Sequence, residues 1–303
     1  MIRIRTLCLV MVSILAGVHA AGSSGGTPLQ GVMDWPEGRS LDVPYVPTPE
    51  AVVLKMLDMA EVDRDDLVYD LGCGDGRIVI TAARLKGARG VGVDIDPDRI
   101  RESRENARTA GVSDRVTFIR QDLFASNIGR ATVVTLYLLP SVNLELRPKL
   151  LRELKPGTRV VSHSHDMGEW RADKHEEVEG RDIYSWIVPA NVAGTWEWTG
   201  VDGNRCALKM SQRFQEVAGT FCSGSTETPL LGVQLTGRRL SFTVDQMIGG
   251  RKALVQYEGR VAGDVIEGRI RPGDGGITGG QAWKATRDPS TKIPLDRAGR
   301  PGY

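Results

Sequence analysis

Residues 67–77 read Leu-Val-Tyr-Asp-Leu-Gly-Cys-Gly-Asp-Gly-Arg, and this stretch decides the fold. The apolar run Leu67, Val68, Tyr69 ends in Asp70. Glycines then stand at every second position (Gly72, Gly74 and Gly76), and Ile78-Val-Ile-Thr-Ala-Ala follows with helical spacing. Strand, glycine loop and helix is the layout of a ligand site at the carboxyl edge of a parallel sheet. Glycine is needed because the loop turns sharply and lets a ligand touch its backbone.

The spacing selects the ligand. Dinucleotide sites use G-x-G-x-x-G, whereas this loop reads G-x-G-x-G with an acid two residues ahead of the first glycine. A carboxylate at Asp70 would repel a pyrophosphate. It suits a ligand that carries an ammonium and a sulfonium and no phosphate, which describes S-adenosylmethionine (SAM). Two further strand ends agree. Gly90-Val-Gly-Val-Asp94 is a second buried strand ending in acid, and Asp94 stands where a carboxylate accepts ribose hydroxyls. Val116–Ile119 is a third strand, and Asp122 after it can accept from the adenine amino group. Acids at three successive strand ends weigh against glycines that only make tight turns.

On Asp70–Gly76, Gly92-Val-Asp94 and Gln121-Asp122-Leu123, residues 44 to about 190 resemble a class I SAM-dependent methyltransferase. Three further segments narrow the resemblance: Val43-Pro-Tyr-Val-Pro-Thr-Pro49, Asp75-Gly-Arg-Ile-Val79 and Thr135-Leu-Tyr-Leu-Leu-Pro140. They resemble bacterial relatives of the ATP synthase c-subunit lysine methyltransferase family, itself similar to the disruptor-of-telomeric-silencing type of histone lysine methyltransferase. The resemblance implies a Rossmann-like α/β sheet and SAM as cofactor. Tyr45, Thr48, Asp70, Gly72, Gly74, Gly76, Asp94 and Asp122 would hold it, and Tyr137 and Pro140, after the fourth strand, would line the acceptor channel. It also implies N-methylation of a lysine in a protein or peptide. A small-molecule acceptor and a non-catalytic exported ligand-binding protein stay open, because no Asn-Pro-Pro-Tyr acceptor motif stands after the fourth strand.

Around this centre the pattern predicts a helix from Thr48 as N-cap, with Pro49 in its first turn and Val52, Val53, Met56 and Leu57 at helical spacing. Further helices are expected over 77–86, 97–110 (Asp96 as N-cap, Gly111 as stop) and Val142 to Glu153. Strands are expected over Ala131–Tyr137, Thr158–Ser162 and Ile183–Val188. Near Asn191 helical periodicity stops, and about eight short alternating β-runs follow, from Val192 to Thr286. They predict a C-terminal all-β barrel or sandwich. The expected boundaries are a leader (1–20), a linker (21–43), the methyltransferase part (44–190), the β part (191–288) and a loose tail (289–303).

The 303 residues suffice for two domains, and a formal charge of +1 offers no electrostatic footprint for nucleic acid. Arg3 and Arg5, the apolar run Leu7–Val18 and the small-residue site near Ala20 read as a secretory signal peptide, so the protein is expected to be exported, periplasmic or secreted. An uncleaved leader acting as a membrane anchor is the alternative; no stable membrane span is expected beyond it. Export sits awkwardly with a cofactor made in the cytoplasm. Cys73 reads as packing, and Cys206 and Cys222 flank one hairpin where export would permit a disulfide. His163 and His165 would share a face at a strand end, but no convincing third or fourth ligand accompanies them, so no metal is expected. His163 is instead a candidate for substrate contact.

Overall fold

The computed structural model describes residues 45–200, 203–248, 251–272 and 280–295. The expected leader and linker lie outside the described residues, as does the end of the tail from 296.

Seven strands form the first sheet: β1 (Leu67–Leu71), β2 (Arg89–Asp94), β3 (Val116–Arg120), β4 (Val133–Leu136), β5 (Arg159–His163), β6 (Lys174–Val178) and β7 (Arg181–Ile187). Their order is β3-β2-β1-β4-β5-β7-β6. β1 to β5 run parallel, and β7 and β6 add antiparallel at the edge. The chain moves outward from β1 to β3 and then restarts on the other side at β4. This reversal leaves a crevice at the carboxyl ends of β1 and β4, where such sheets bind ligands. β6 escapes detection by pattern because Lys-His-Glu-Glu carries no apolar alternation and all four of those residues are exposed; a polar edge strand resists pairing with other chains.

Helices α1 (Glu50–Met59), α2 (Arg77–Thr81) and α3 (Pro97–Thr109) cover one face. Val52, Met56, Val79 and Ile100 pack there with Val68, Val133 and Val161. Helix α4 (Pro140–Glu153) covers the other, where Leu146 and Leu150 meet Val134, Val160 and Trp186. α3 has the expected cap, with the Asp96 carboxylate accepting from the Asp98 N–H, and Gly111 beyond it takes φ 69°. α1 does not. Its N-cap is Pro49, held at ψ 150°, and the Thr48 hydroxyl turns away to His163.

The second sheet has nine antiparallel strands: β8 (Gly194–Thr199), β9 (Arg205–Arg213), β10 (Glu216–Ser223), β11 (Thr226–Pro229), β12 (Leu231–Thr236), β13 (Arg239–Ile248), β14 (Arg251–Ala262), β15 (Val265–Pro272) and β16 (Gln281–Arg287). The order is β11-β10-β9-β8-β16-β15-β14-β13-β12, so the last strand returns to the first. The sheet then nearly closes, because the chain passes through the single residue Leu230 from β11 at one edge to β12 at the other. Of barrel and sandwich, the barrel is the form adopted. The short β11 is the strand beyond the expected set. Inside, Trp283 lies 5.3 Å from both Trp198 and Tyr257, and Phe242 stacks on Tyr257 at 5.0 Å, between ring centroids.

No disulfide joins Cys206 to Cys222. Register forbids it: Cys206 pairs with Ser223, and Cys222 with Ala207, so the two side chains lie on opposite faces. The start of the tail is not loose. The Ile293 carbonyl accepts from Asn191 Nδ2 at 2.6 Å, and Leu295 is buried; just before the tail, Arg287 is 3% exposed and bonded to Asp264, Asn191 and the Ala193 carbonyl. Leu295 and Phe214, from the β9–β10 turn, join the α4-side core, with Phe214 stacked 6.2 Å from Trp170.

Candidate active site

The glycine loop is locked to the neighbouring strand before any ligand is considered. The Gly72 and Cys73 N–H groups both donate to the Val93 carbonyl, at 2.8 and 3.0 Å, and Gly76 N–H donates back to the Cys73 carbonyl. Gly72 and Gly74 take φ of 82° and 51°, a region that side chains resist. A Cβ on Gly74 would lie 2.4 Å from the Tyr45 ring, and one on Gly76 within 2.7 Å of Phe118. Gly74 therefore lets a side chain close over the loop, while Gly76 brings α2 close to β3 and α3.

One cleft along the strand ends is lined by Tyr45, Thr48, Asp70, Gly72, Gly74, Asp94, Asp122 and Tyr137. Gly76 and Pro140 lie outside that lining. Gly76 serves helix packing, and Pro140 opens α4 as an exposed residue, leaving Leu138, Leu139 and Val142 to face the cleft. Asp94 is held by two backbone donors, Gly74 N–H at 2.8 Å and Asp96 N–H at 3.0 Å, one on each oxygen. The remaining lone pairs can accept from a vicinal diol. Asp122 accepts from Phe124 N–H at 2.8 Å, which orients its carboxylate.

Asp70 is 2% exposed. Burial pushes its pKa up to about 7, against the lowering effect of the Thr135 hydroxyl bonded at 2.8 Å, with Asp94 and Asp75 adding repulsion. A buried acid in this state is a receptor for a cation, since a nearby ammonium restores the charged form. The same burial, with the charges of Asp70 and Asp94, pushes the Cys73 thiol well up, so it is a packing group and not a nucleophile. The donor set thus fits SAM: a cation-seeking acid beside the loop, a diol acceptor at the second strand end and an amine acceptor at the third.

A strap (residues 45–49) crosses the loop. Arg99 stacks on the Tyr45 ring at 4.6 Å. Arg77 grips Asp75 with Nε at 3.0 Å and Nη2 at 2.6 Å, and its Nη1 donates to the Thr48 carbonyl at 2.9 Å. Burial would raise Asp75, but the Arg77 hydrogen bonds outweigh it and hold the carboxyl below its usual range. Sequence pattern does not single out Arg77, Arg99 or Thr135. Of the three, Arg77, inside the Asp-Gly-Arg triplet, and Thr135, opening the segment to Pro140, lie in stretches that carry a local signal, and Arg99 does not.

The two histidines do not share a face, and His163, the candidate for substrate contact, is not the one at the cleft. His163 is fully buried and outside the cleft lining, whereas His165 lines it. Between them Ser164 takes φ 64°, which breaks the strand period and separates their faces. Among the described residues no cluster of three or more His, Cys, Asp or Glu side chains is arranged to hold a metal ion.

Comparison with known proteins agrees with this geometry. The family model for the ANTKMT methyltransferase domain matches residues 70–174. A protein-lysine N-methyltransferase of Saccharolobus islandicus is 52% identical over 151 residues, 48% of this chain and 94% of the relative. The ATP synthase c-subunit lysine N-methyltransferase of Xenopus laevis is 33% identical over 174 residues, 57% of this chain and 74% of the relative. A solved structure described as an RNA methyltransferase from Salinibacter ruber in complex with S-adenosyl-L-homocysteine is 57% identical, covers 48% of this chain and 96% of that chain, and has a TM-score of 0.48. A parallel sheet with this loop and these strand-end acids is that of a SAM-dependent class I methyltransferase. Within that class, the chain belongs to the protein-lysine N-methyltransferase family.

Proposed function

We propose that the protein methylates the ε-amino group of lysine in a protein substrate. The observation that carries this reading is the continuity of the cleft. It runs from the strand-end acids to a mouth between the strap and residues 137–139. Val46 (54% exposed) and Leu139 (37% exposed) stand at that mouth. A lysine offers a long apolar stem that such a rim can sheathe while its nitrogen passes inward. The names of the two relatives point to the same acceptor.

The chemistry asks little covalent work of the protein. SAM, when bound, supplies a methyl already activated on a sulfonium. Asp70, Asp94 and Asp122 would hold it. Tyr137, Leu138 and Leu139 would orient the acceptor and strip its water. Desolvation favours the neutral amine over the ammonium, and the neutral amine is the nucleophile. Alignment of two held reactants supplies most of the acceleration.

Incubating the enzyme, SAM labelled on its methyl group and a protein extract, followed by digestion and mass spectrometry, tests the reading. Methyl groups should appear on lysine Nε and vanish with Asp94→Ala. Label confined to low-molecular-weight products would replace the proposal with a small-molecule acceptor. We also propose that the leader-like segment exports the enzyme. A phosphatase reporter that works only outside the cytoplasm, fused after residue 43, should then be active, and a silent but fully expressed fusion would reject export.

A further inference from the structure

The end of β5 holds more polar strain than packing requires. Among the described residues, four buried side-chain polar atoms lack a hydrogen-bond partner; one is Nε2 of His163, the last residue of β5, and another is Oδ1 of Asn143, which bonds the neighbouring Ser162. Asn143 Nδ2 donates to Ser162 Oγ and to the His165 carbonyl, both at 3.1 Å. Ser164, next in the chain, takes the left-handed φ of 64°, with its N–H bonded to the Asp182 carbonyl at 2.7 Å. Strained backbone and unsatisfied buried groups gather where function constrains a structure. A phenylalanine would fill the same core without an unpaired nitrogen, whose burial costs about 1–3 kcal/mol.

What His163 touches gives the reason. Its ring stacks on Tyr137, with centroids 3.8 Å apart and planes at 30°. Its Nδ1 lies 3.3 Å from Thr48 Oγ1. Tyr137 and Thr48 both line the cleft, the first from the loop after β4 and the second from the strap. Thr48 is fixed from its far side by Arg77, which is anchored in turn on Asp75 of the glycine loop. His163, itself outside the lining, thus touches both the strap and the loop after β4.

We propose that His163 is a positioning residue for methyl transfer, clamping the strap at Thr48 to the post-β4 loop at Tyr137 so that the acceptor mouth keeps its width and the strap stays down over the cofactor. This rests on the reading of that mouth as the acceptor's entrance. The ring does not act as a base. Burial, followed by the charges of Arg181 and His165, lowers its pKa to about 4, which leaves it neutral at working pH.

The test separates the two contacts. His163→Phe keeps a ring for Tyr137 and loses the Thr48 bond; His163→Asn offers an amide near the position of Nδ1 and loses the ring; Thr48→Val removes the hydroxyl alone. Two readouts are taken: the dissociation rate of S-adenosylhomocysteine by stopped flow, and kcat and KM for a lysine peptide that the wild type methylates. His163→Phe should release S-adenosylhomocysteine severalfold faster and lower kcat by about tenfold, with KM changed less than about twofold, as misalignment of held reactants does. Thr48→Val should reproduce the faster release and add nothing in the His163→Phe background, and His163→Asn should restore part of it. None of the variants should change the shape of the pH–rate profile. Unchanged release and kcat with only a lower melting temperature would reduce His163 to a core filler, and additive effects of Thr48→Val and His163→Phe would break the clamp. Should His163→Phe not fold, Thr48→Val and His163→Asn decide by the same readouts. A wild type that methylates no lysine would overturn the acceptor reading, while the release rates still decide the clamp.

Discussion

The two sheets handle polar residues in opposite ways. In the seven-stranded sheet, acids and hydroxyls collect at the carboxyl ends: Asp70 and Thr135 are buried there, and Asp94 and Asp122 line the cleft. In the nine-stranded sheet the interior is filled by Trp196, Phe242, Tyr257 and Trp283, and most charges stand outside in pairs such as Lys209–Glu227 and Lys284–Glu267, with Arg287 the buried exception, paired to Asp264. One sheet accepts the cost of unsatisfied polarity around a cleft, and the other nearly closes on itself. The cofactor-fitting cleft thus lies on the parallel sheet, and the barrel half lends Phe214 to that half's core.

The largest effect that could break this contrast is a hole in the barrel. Phe242→Ala should cost about 3–5 kcal/mol of stability, read by denaturant unfolding, and leave SAM affinity unmoved by calorimetry. A large loss of affinity in the folded variant would give the barrel a share in the site. Next comes Asp94→Ala, which removes the diol acceptor together with the partner of two backbone donors. SAM binding should weaken on the order of a hundredfold or more, since bonds to charged groups are worth about 1.5–3 kcal/mol each; near-normal binding would misplace the ribose.

Asp70 sharpens the contrast through pH. Its folded-state pKa of about 7 lies above the ordinary 3.8. Between those values the folded chain keeps a proton that the unfolded chain gives up, so this group's stability is fully present below pH 3.8 and is lost as pH rises through 7. Asp70→Asn should make the ligand-free protein more stable above pH 7, on the order of 2–3 kcal/mol, and at the same time weaken SAM binding. The wild type should release a proton on binding SAM near neutrality, measurable by calorimetry in buffers of different ionisation enthalpy. A variant less stable than wild type at pH 8 would contradict the assignment. Smallest is Arg99→Ala, which uncovers the Tyr45 ring. It should weaken SAM by only a few-fold, in line with about 0.5–1 kcal/mol for an exposed cation–π contact, and no change would mean that the strap needs no second cover.

Much of the parallel sheet is readable in the sequence because its signals are local. A glycine that must take positive φ and an acid that ends a strand announce themselves in a few residues, as at Gly72, Gly74 and Asp94. The cap of α1 misleads because Thr48 has a better partner 115 residues away in His163, which no local rule sees. The separation of the two histidines comes from one torsion at Ser164, which ends the alternation assumed for His163 and His165. The cysteine pairing hangs on a one-residue register, and β6 on an edge whose polarity hides it.

Phe214 and Leu295 carry a consequence for the order of events during synthesis. Both belong to the same core as Trp170 and Trp186, yet they emerge from the ribosome long after the parallel sheet has been made. Part of the apolar face around Trp170 and Trp186 therefore stays uncovered until Phe214 and then Leu295 have been made. Contacts so distant in sequence slow the final step and expose sticky intermediates. The growing chain is most in need of a chaperone in that interval, and its finished half and its barrel should melt as one.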